Sequence, residues 1–338
     1  MRLPAAGLRH EGETVELSVE LSEDTRFGMV ETIEIRGFPH RYELSAPTDS
    51  QIVLVFVHGW LLSRAYWQPL VDRLSTVHQC LTYDLRGFGE SQGQFQAHQP
   101  AVEQVVSNSG RPTVTQLTVA PAAAVSYDLT AYAEDLCLLL KQLNIQKAWL
   151  VGHSLGGSIA LWAADQAPDL IAGVICVNSG GGIYLKEEFE RFRAAGQLLI
   201  RFRPRWLARL PLLALPLSWL NVVQPLPLRW GSQRLKDLAI AEPAAALGAL
   251  LESTTEAEVH RLPQVVARLQ QPVQFIAGAN DSMMEPKYVH HLASFHPSFE
   301  CCGNNVSELA DCGHLSMLEQ PEALAAEIQA TLDRYLAR

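Results

Sequence analysis

Two rhythms of apolar residues run along this chain. Ile52-Val53-Leu54-Val55-Phe56-Val57 is an unbroken β-branched and apolar run, and residues 272–278 form another. Such runs predict strands buried on both faces, as in a parallel sheet covered by helices. Segments 80–83, 147–151, 173–178 and 306–310 also read as strands. By contrast, residues 15–19 and 31–35 alternate apolar with polar. Alternation predicts an antiparallel hairpin at the sheet edge, with one wet face. The hairpin falls within 1–50, and the parallel core begins near Gln51.

Two stretches break the pattern. Residues 92–125 are rich in Gln, Ala, Val, Pro, Ser and Thr, with only Glu103 and Arg111 charged. They read as a surface-loop insertion, or a lid over a pocket mouth. Between strands 173–178 and 272–278 lies a long segment, 183–262, expected to form a helical cap. Its middle, 206–220, is dense in leucine and tryptophan, and prolines 211 and 216 limit each helix to a short piece. From 191 to 236 there are nine basic residues and no Asp or Glu. Two readings stay open. One is an interfacial segment that contacts membranes. The other is a soluble cap whose arginine stems lie over apolar surface. The core is expected in 1–182 and 263–338.

Composition narrows the class. With 338 residues, 48% of them hydrophobic, the chain can bury one large core. A net charge of −10 argues against nucleic acid as partner. The N-terminus lacks an apolar signal-peptide region, and no apolar run reaches transmembrane length. The six cysteines show no framework spacing and are expected to be reduced, in a cytoplasmic setting. No zinc pattern, Walker loop or dinucleotide fingerprint is present, so neither metal nor cofactor is implied.

The chemistry concentrates in Gly152-His153-Ser154-Leu155-Gly156. This G-x-S-x-G lies between a strand-like and a helix-like segment, the context a nucleophile elbow requires. Gly152 and Gly156 let strand and helix approach, and the Ser154 hydroxyl projects above the sheet edge. An Asp281 loop follows strand 272–278, and His314 follows strand 306–310. Nucleophile, acid, histidine is the order of a hydrolase triad.

The motifs HGW (58–60), DLRGFGES (84–91), GHSLGG (152–157), GANDSMMEP (278–286) and DCGHLSMLEQPE (311–322) occur in order. Together they resemble the α/β-hydrolase superfamily, from Gln51 to the C-terminus apart from the two insertions. The resemblance implies a mostly parallel eight-stranded sheet with helices on both faces and a helical cap. It implies Ser154 as nucleophile, His314 as base and Asp281 as the acid that orients it. Asp311 and Glu285 are competing acids. The position after strand 173–178, used by some relatives, holds Asn178. The backbone N–H groups of Trp60 and Leu155 are the expected oxyanion donors, supported by His58 and Gly59. His58 and His153 are expected to hydrogen-bond locally, Asp84 and Arg86 to form structural ion pairs. His290, His291 and His296 are not expected in the site.

Haloalkane dehalogenases and epoxide hydrolases of this fold attack with aspartate. A serine implies acyl transfer. The expected activity is hydrolysis of a lipophilic carboxylic ester. Residues 177–182 and the long apolar cap are similar to chlorophyll dephytylase-like hydrolases, which implies a phytyl ester. A lipase or general esterase, and a slow hydrolase-fold ligand receptor, are the other readings.

Overall fold

The computed structural model describes residues 28–93, 125–181, 186–203, 206, 211–302 and 305–336. Eight strands make one sheet: β1 (Glu31–Ile35), β2 (Phe38–Leu44), β3 (Val53–Val57), β4 (Gln79–Tyr83), β5 (Ala148–His153), β6 (Ile171–Val177), β7 (Val273–Gly278) and β8 (Val306–Leu309). Their order is β1-β2-β4-β3-β5-β6-β7-β8. From β4 onward neighbours run parallel, and β2 joins β4 antiparallel. An antiparallel hairpin within 1–50 forms one edge of the sheet, as expected. Residues 31–35 pair with Phe38–Leu44, and 15–19 lie outside the described residues. The tight turn is Arg36-Gly37, both at positive φ, 54° and 82°.

Twelve helices are described: α1 (Gln68–Leu74), α2 (Leu129–Gln142), α3 (Leu155–Gln166), α4 (Lys186–Arg201), α5 (Ala214–Trp219), α6 (Leu228–Ile240), α7 (Pro243–Ser253), α8 (Glu256–Arg268), α9 (Pro286–Ala293), α10 (Pro297–Cys302), α11 (Ser316–Glu319) and α12 (Pro321–Leu336). Strand side chains alternate between two cores. Val55, Val57, Leu150 and Val174 pack with α2, α3 and α8. Leu54, Phe56, Trp149 and Ile175 pack with α1 and α12. Burial on both faces is why these strands read as unbroken apolar runs. Truncating one such leucine to alanine costs about 2–5 kcal/mol.

Helices α4 to α7 lie in the segment expected to form the cap. The expected boundary at 262/263 falls inside α8, which packs on α3. Only Gln92, Gly93 and Val125 of the 92–125 insertion are described. Cys80, Cys137, Cys176 and Cys312 are buried free thiols.

From β3 the chain steps to β4 on one side and then returns to β5 on the other. Such a reversal opens a crevice beyond the carboxyl ends of the strands. His58-Gly59-Trp60 leaves β3 there, and Ser154 leaves β5.

Candidate active site

Ser154 sits between β5 and α3 with φ 53° and ψ −119°. That conformation is strained for a residue with a Cβ, and neighbouring contacts hold it. Its N–H donates to Val177 O at 3.0 Å, and its carbonyl accepts from Gly157 N at 3.0 Å. A Cβ on Gly152 would overlap the Gly156 carbonyl, and one on Gly156 would overlap the Val57 carbonyl. Both glycines are therefore required by close backbone approach, as the motif suggests.

His314 lies in the loop between β8 and α11. Its Nδ1 is 2.7 Å from Asp281 Oδ2. The other Asp281 oxygen accepts from Met283 N at 2.8 Å and Met284 N at 2.9 Å. Burial pushes the Asp281 carboxyl up, but His314 and these donors outweigh it and hold it below the usual carboxylate range. Asp281 thus meets His314, whereas Asp311 is an exposed turn residue with φ 51°. Glu285 pairs with Lys287 at 2.8 Å.

Several residues around this pair escaped the sequence reading. Asn178 is fully buried, and its amide donates to Asp281 Oδ2 at 2.9 Å and to Gly313 O at 3.1 Å. Ser316 in turn donates to Asn178 Oδ1. The Glu319 carboxylate accepts from the N–H groups of Gly313 at 3.0 Å and Leu315 at 3.1 Å, bracketing His314. It also accepts from Val223 N at 2.8 Å, and Asn221 O accepts from His314 N at 2.9 Å. The segment after α5 is thereby tied to the histidine loop. The sequence signals are indirect: Asn178 occupies a position where some relatives place a carboxylate, and Ser316 and Glu319 fall within the motif that carries His314.

His58 hydrogen-bonds locally: Nδ1 donates to Gly59 O at 2.8 Å and Nε2 accepts from Leu85 N at 2.9 Å. His153 does not. Its Nε2 reaches His314 O at 2.7 Å, across the fold. Burial, then the nearby His314, lower the His153 pKa to about 3. It is therefore a neutral Nε2–H donor. Asp84 and Arg86 do not pair with each other. Asp84 Oδ2 meets Arg64 at 2.5 Å, and Arg86 Nε faces Asp135 at 3.2 Å. His290 pairs with Glu308, and His296 reaches Gln271 O.

The Trp60 indole donates to Ala246 O at 2.8 Å, pinning the β3 loop to α7. Leu155 is the first residue of α3, where a backbone N–H has no helical acceptor. Two cavities meet at Ser154, and both are also lined by Trp60, Phe192 and Met283. One, about 90 Å³, includes Leu155, Ser158, Ser179, Leu250 and Thr254. The other, about 170 Å³, includes His314, Leu61, Leu217, Leu220 and Arg234. Among the described residues no cluster of three or more His, Cys, Asp or Glu could hold a metal.

The chain belongs to the α/β-hydrolase family: the family profile described as alpha/beta hydrolase fold matches residues 52–321. It is a hydrolase of serine type within it. A pimeloyl-[acyl-carrier protein] methyl ester esterase of Aliivibrio salmonicida is 25% identical over 72% of this chain and 80% of its own. A 2-succinyl-6-hydroxy-2,4-cyclohexadiene-1-carboxylate synthase of Escherichia coli is 27% identical over 79% of this chain and 92% of its own. An esterase structure from Thermogutta terrifontis superposes with a TM-score of 0.65 at 22% identity, covering 90% of this chain and 99% of its own. It shares the fold.

Proposed function

We propose that the protein is a serine carboxylester hydrolase acting on lipophilic esters. One observation carries the reading: His314 Nδ1 lies 2.7 Å from the buried Asp281 carboxylate, while His314 and Ser154 line one apolar cavity. Ser154 Oγ attacks the ester carbonyl carbon as its proton passes to His314 Nε2. Asp281 stabilises the imidazolium on the Nδ1 side. The N–H groups of Leu155 and Trp60 hold the oxyanion. The carbon–alkoxide bond breaks, and His314 returns the proton to the leaving oxygen. Water, losing a proton to His314, then attacks the acyl-enzyme. The acid departs, and Ser154 regains its proton. His58, Gly59, Gly152 and Gly156 support the backbone of this machinery.

Leu217 and Leu220 line the larger cavity, and on the same segment Leu215 and Trp219 are exposed. That continuity supports peripheral contact of the cap with membranes, through which an apolar ester could enter. A phytyl ester such as that of chlorophyll is the narrowest form of this reading and rests on the sequence resemblance. Among the described residues no helix is long and apolar enough to cross a membrane.

A fluorophosphonate probe tests the nucleophile. Covalent label is expected on Ser154, and Ser154→Ala is expected to abolish it without loss of fold. Equal labelling of the variant would overturn the assignment.

A further inference from the structure

The two cavities that meet at Ser154 are chemically unlike. Leu155, whose N–H starts α3, lines only the smaller one, with Ser158, Ser179, Ser253 and Thr254. His314 lines only the larger one, which is walled by leucines. In ester cleavage the leaving oxygen takes its proton from the histidine. The alcohol half must therefore lie on the His314 side, and the acyl half on the hydroxyl-lined side.

Within the leucine-walled chamber stands one guanidinium, Arg234, on α6. Its Nη1 donates to Leu217 O at 2.7 Å and to Leu220 O at 2.7 Å, the end of α5. Among the described residues Nε and Nη2 take no partner, and no carboxylate lies within ion-pair distance of the group. The Tyr66 phenol and, more weakly, Glu319 act on it without bonding it, the Glu319 oxygens being engaged by Gly313, Leu315 and Val223. Asp237, three residues on, is held by Ser63 and Gln233. Burial lowers the Arg234 pKa, the direction expected of a cation lacking a close counterion. A half-buried guanidinium with a fork of unused donors suits bidentate recognition of a planar or tetrahedral anion.

Resting on the esterase reading but not on its phytyl form, whose long uncharged alcohol this chamber would not suit, we propose that the chamber beside His314 receives the alcohol half of the substrate and that Arg234 pairs with a carboxylate or phosphate carried on that half. The chamber's volume is about 170 Å³. A cavity of ~150 Å³ accommodates benzene, so a single substituted ring fits.

The test uses butyrate esters of 4-hydroxybenzoate, 4-hydroxyphenyl phosphate and neutral 4-hydroxybenzamide. Wild type is expected to favour one anionic ester over the amide by tenfold or more in kcat/KM. The favoured arm tells carboxylate from phosphate. Arg234→Met should bring that ratio close to one. A wild-type ratio near one, or an undiminished ratio in the variant, would overturn the proposal. Calorimetry of the three free phenols with wild type supplies a readout independent of turnover. Tighter binding of an anionic phenol supports the site even if Ser154 proves not to be the nucleophile. Equal binding of all three counts against Arg234 even if the esters are cleaved.

Discussion

Asp281 and Asp237 are two aspartates buried almost equally, 2% and 1% exposed, and their surroundings drive them in opposite directions. Asp281, on the platform of strand ends, faces an imidazole and the donors of Met283, Met284 and Asn178, and its carboxyl is held low. Asp237, at the seam between cap helix α6 and the β3 loop, faces neutral donors from Ser63, Gln233 and Tyr66, with the Asp84 carboxylate nearby and no cation against it among the described residues. Burial raises it to about 7. A buried carboxylate stays charged where a cation can form against it and takes a proton where only dipoles are offered. The platform is arranged to sustain charge at one point. The cap seam mainly has to close.

The sharpest way to break this contrast is to remove the charge on the platform. Asp281→Asn should lower kcat/KM on a short-chain ester by about 10⁴-fold, the usual loss when the imidazole's orienting acid is replaced. Asp311→Asn, altering an exposed turn, should change it less than about twofold. Steady-state kinetics on both variants decide between them. A collapse in Asp311→Asn with Asp281→Asn intact would move the acid to the loop beside the histidine.

The complementary experiment removes the carboxyl at the seam. Asp237 has a folded value near 7 against an ordinary 3.8. Between those values the unfolded chain releases a proton that the folded chain keeps. Stability therefore falls as pH rises through that window and is lowest above it. Asp237→Asn removes this dependence. The Tm difference between variant and wild type should open as pH rises from about 4 to 7 and stay flat above. At pH 8 the gain should be at most about 4 kcal/mol, several degrees in Tm. Thermal melts at pH 5 and pH 8 measure it, and an equal effect at both would show that Asp237 is charged throughout.

The same contrast explains what could be read from the sequence. On the platform, backbone geometry dictates residue type. Gly152 and Gly156 have no room for a Cβ, Ser154 occupies the elbow, and the strands are apolar on both faces. Those demands leave motifs. Asn178 and Glu319 fall at or within those motifs, but nothing local shows what they do, because their partners come from distant loops and an amide or carboxylate in a short segment has many ordinary uses. The second strand of the edge hairpin leaves little signal for a local reason. The hairpin's turn is Arg36-Gly37, whose paired positive φ values are more often signalled by Asn-Gly. In the cap, basic residues looked like one patch but perform different tasks. Arg193 and Arg203 donate to the ends of α7 and α6, and Lys236 reaches Glu90. Arg205 and Arg209 lie outside the described residues.

That division of labour refines the last and smallest effect, membrane contact. Of the nine basic residues, Arg191, Arg201 and Arg229 are the described ones that stand exposed and outside the internal bonds and ion pairs above. The apolar side is more extensive: Leu198, Phe202, Trp206, Leu212, Leu215 and Trp219 are each more than half exposed. Docking through this surface should therefore be mainly apolar. Each basic residue adds about 1 kcal/mol at low salt, and the apolar part persists when salt screens it. Co-sedimentation with anionic vesicles should retain a fraction of the protein at 500 mM salt, as an order of magnitude for strong screening. Trp219→Ser should weaken that salt-resistant binding several-fold, and Arg229→Gln should weaken binding only at low salt. Protein left in the supernatant at low salt would remove the membrane route and leave the cap as a soluble cover. Binding lost entirely at high salt would make the arginines, not the tryptophans, the contact.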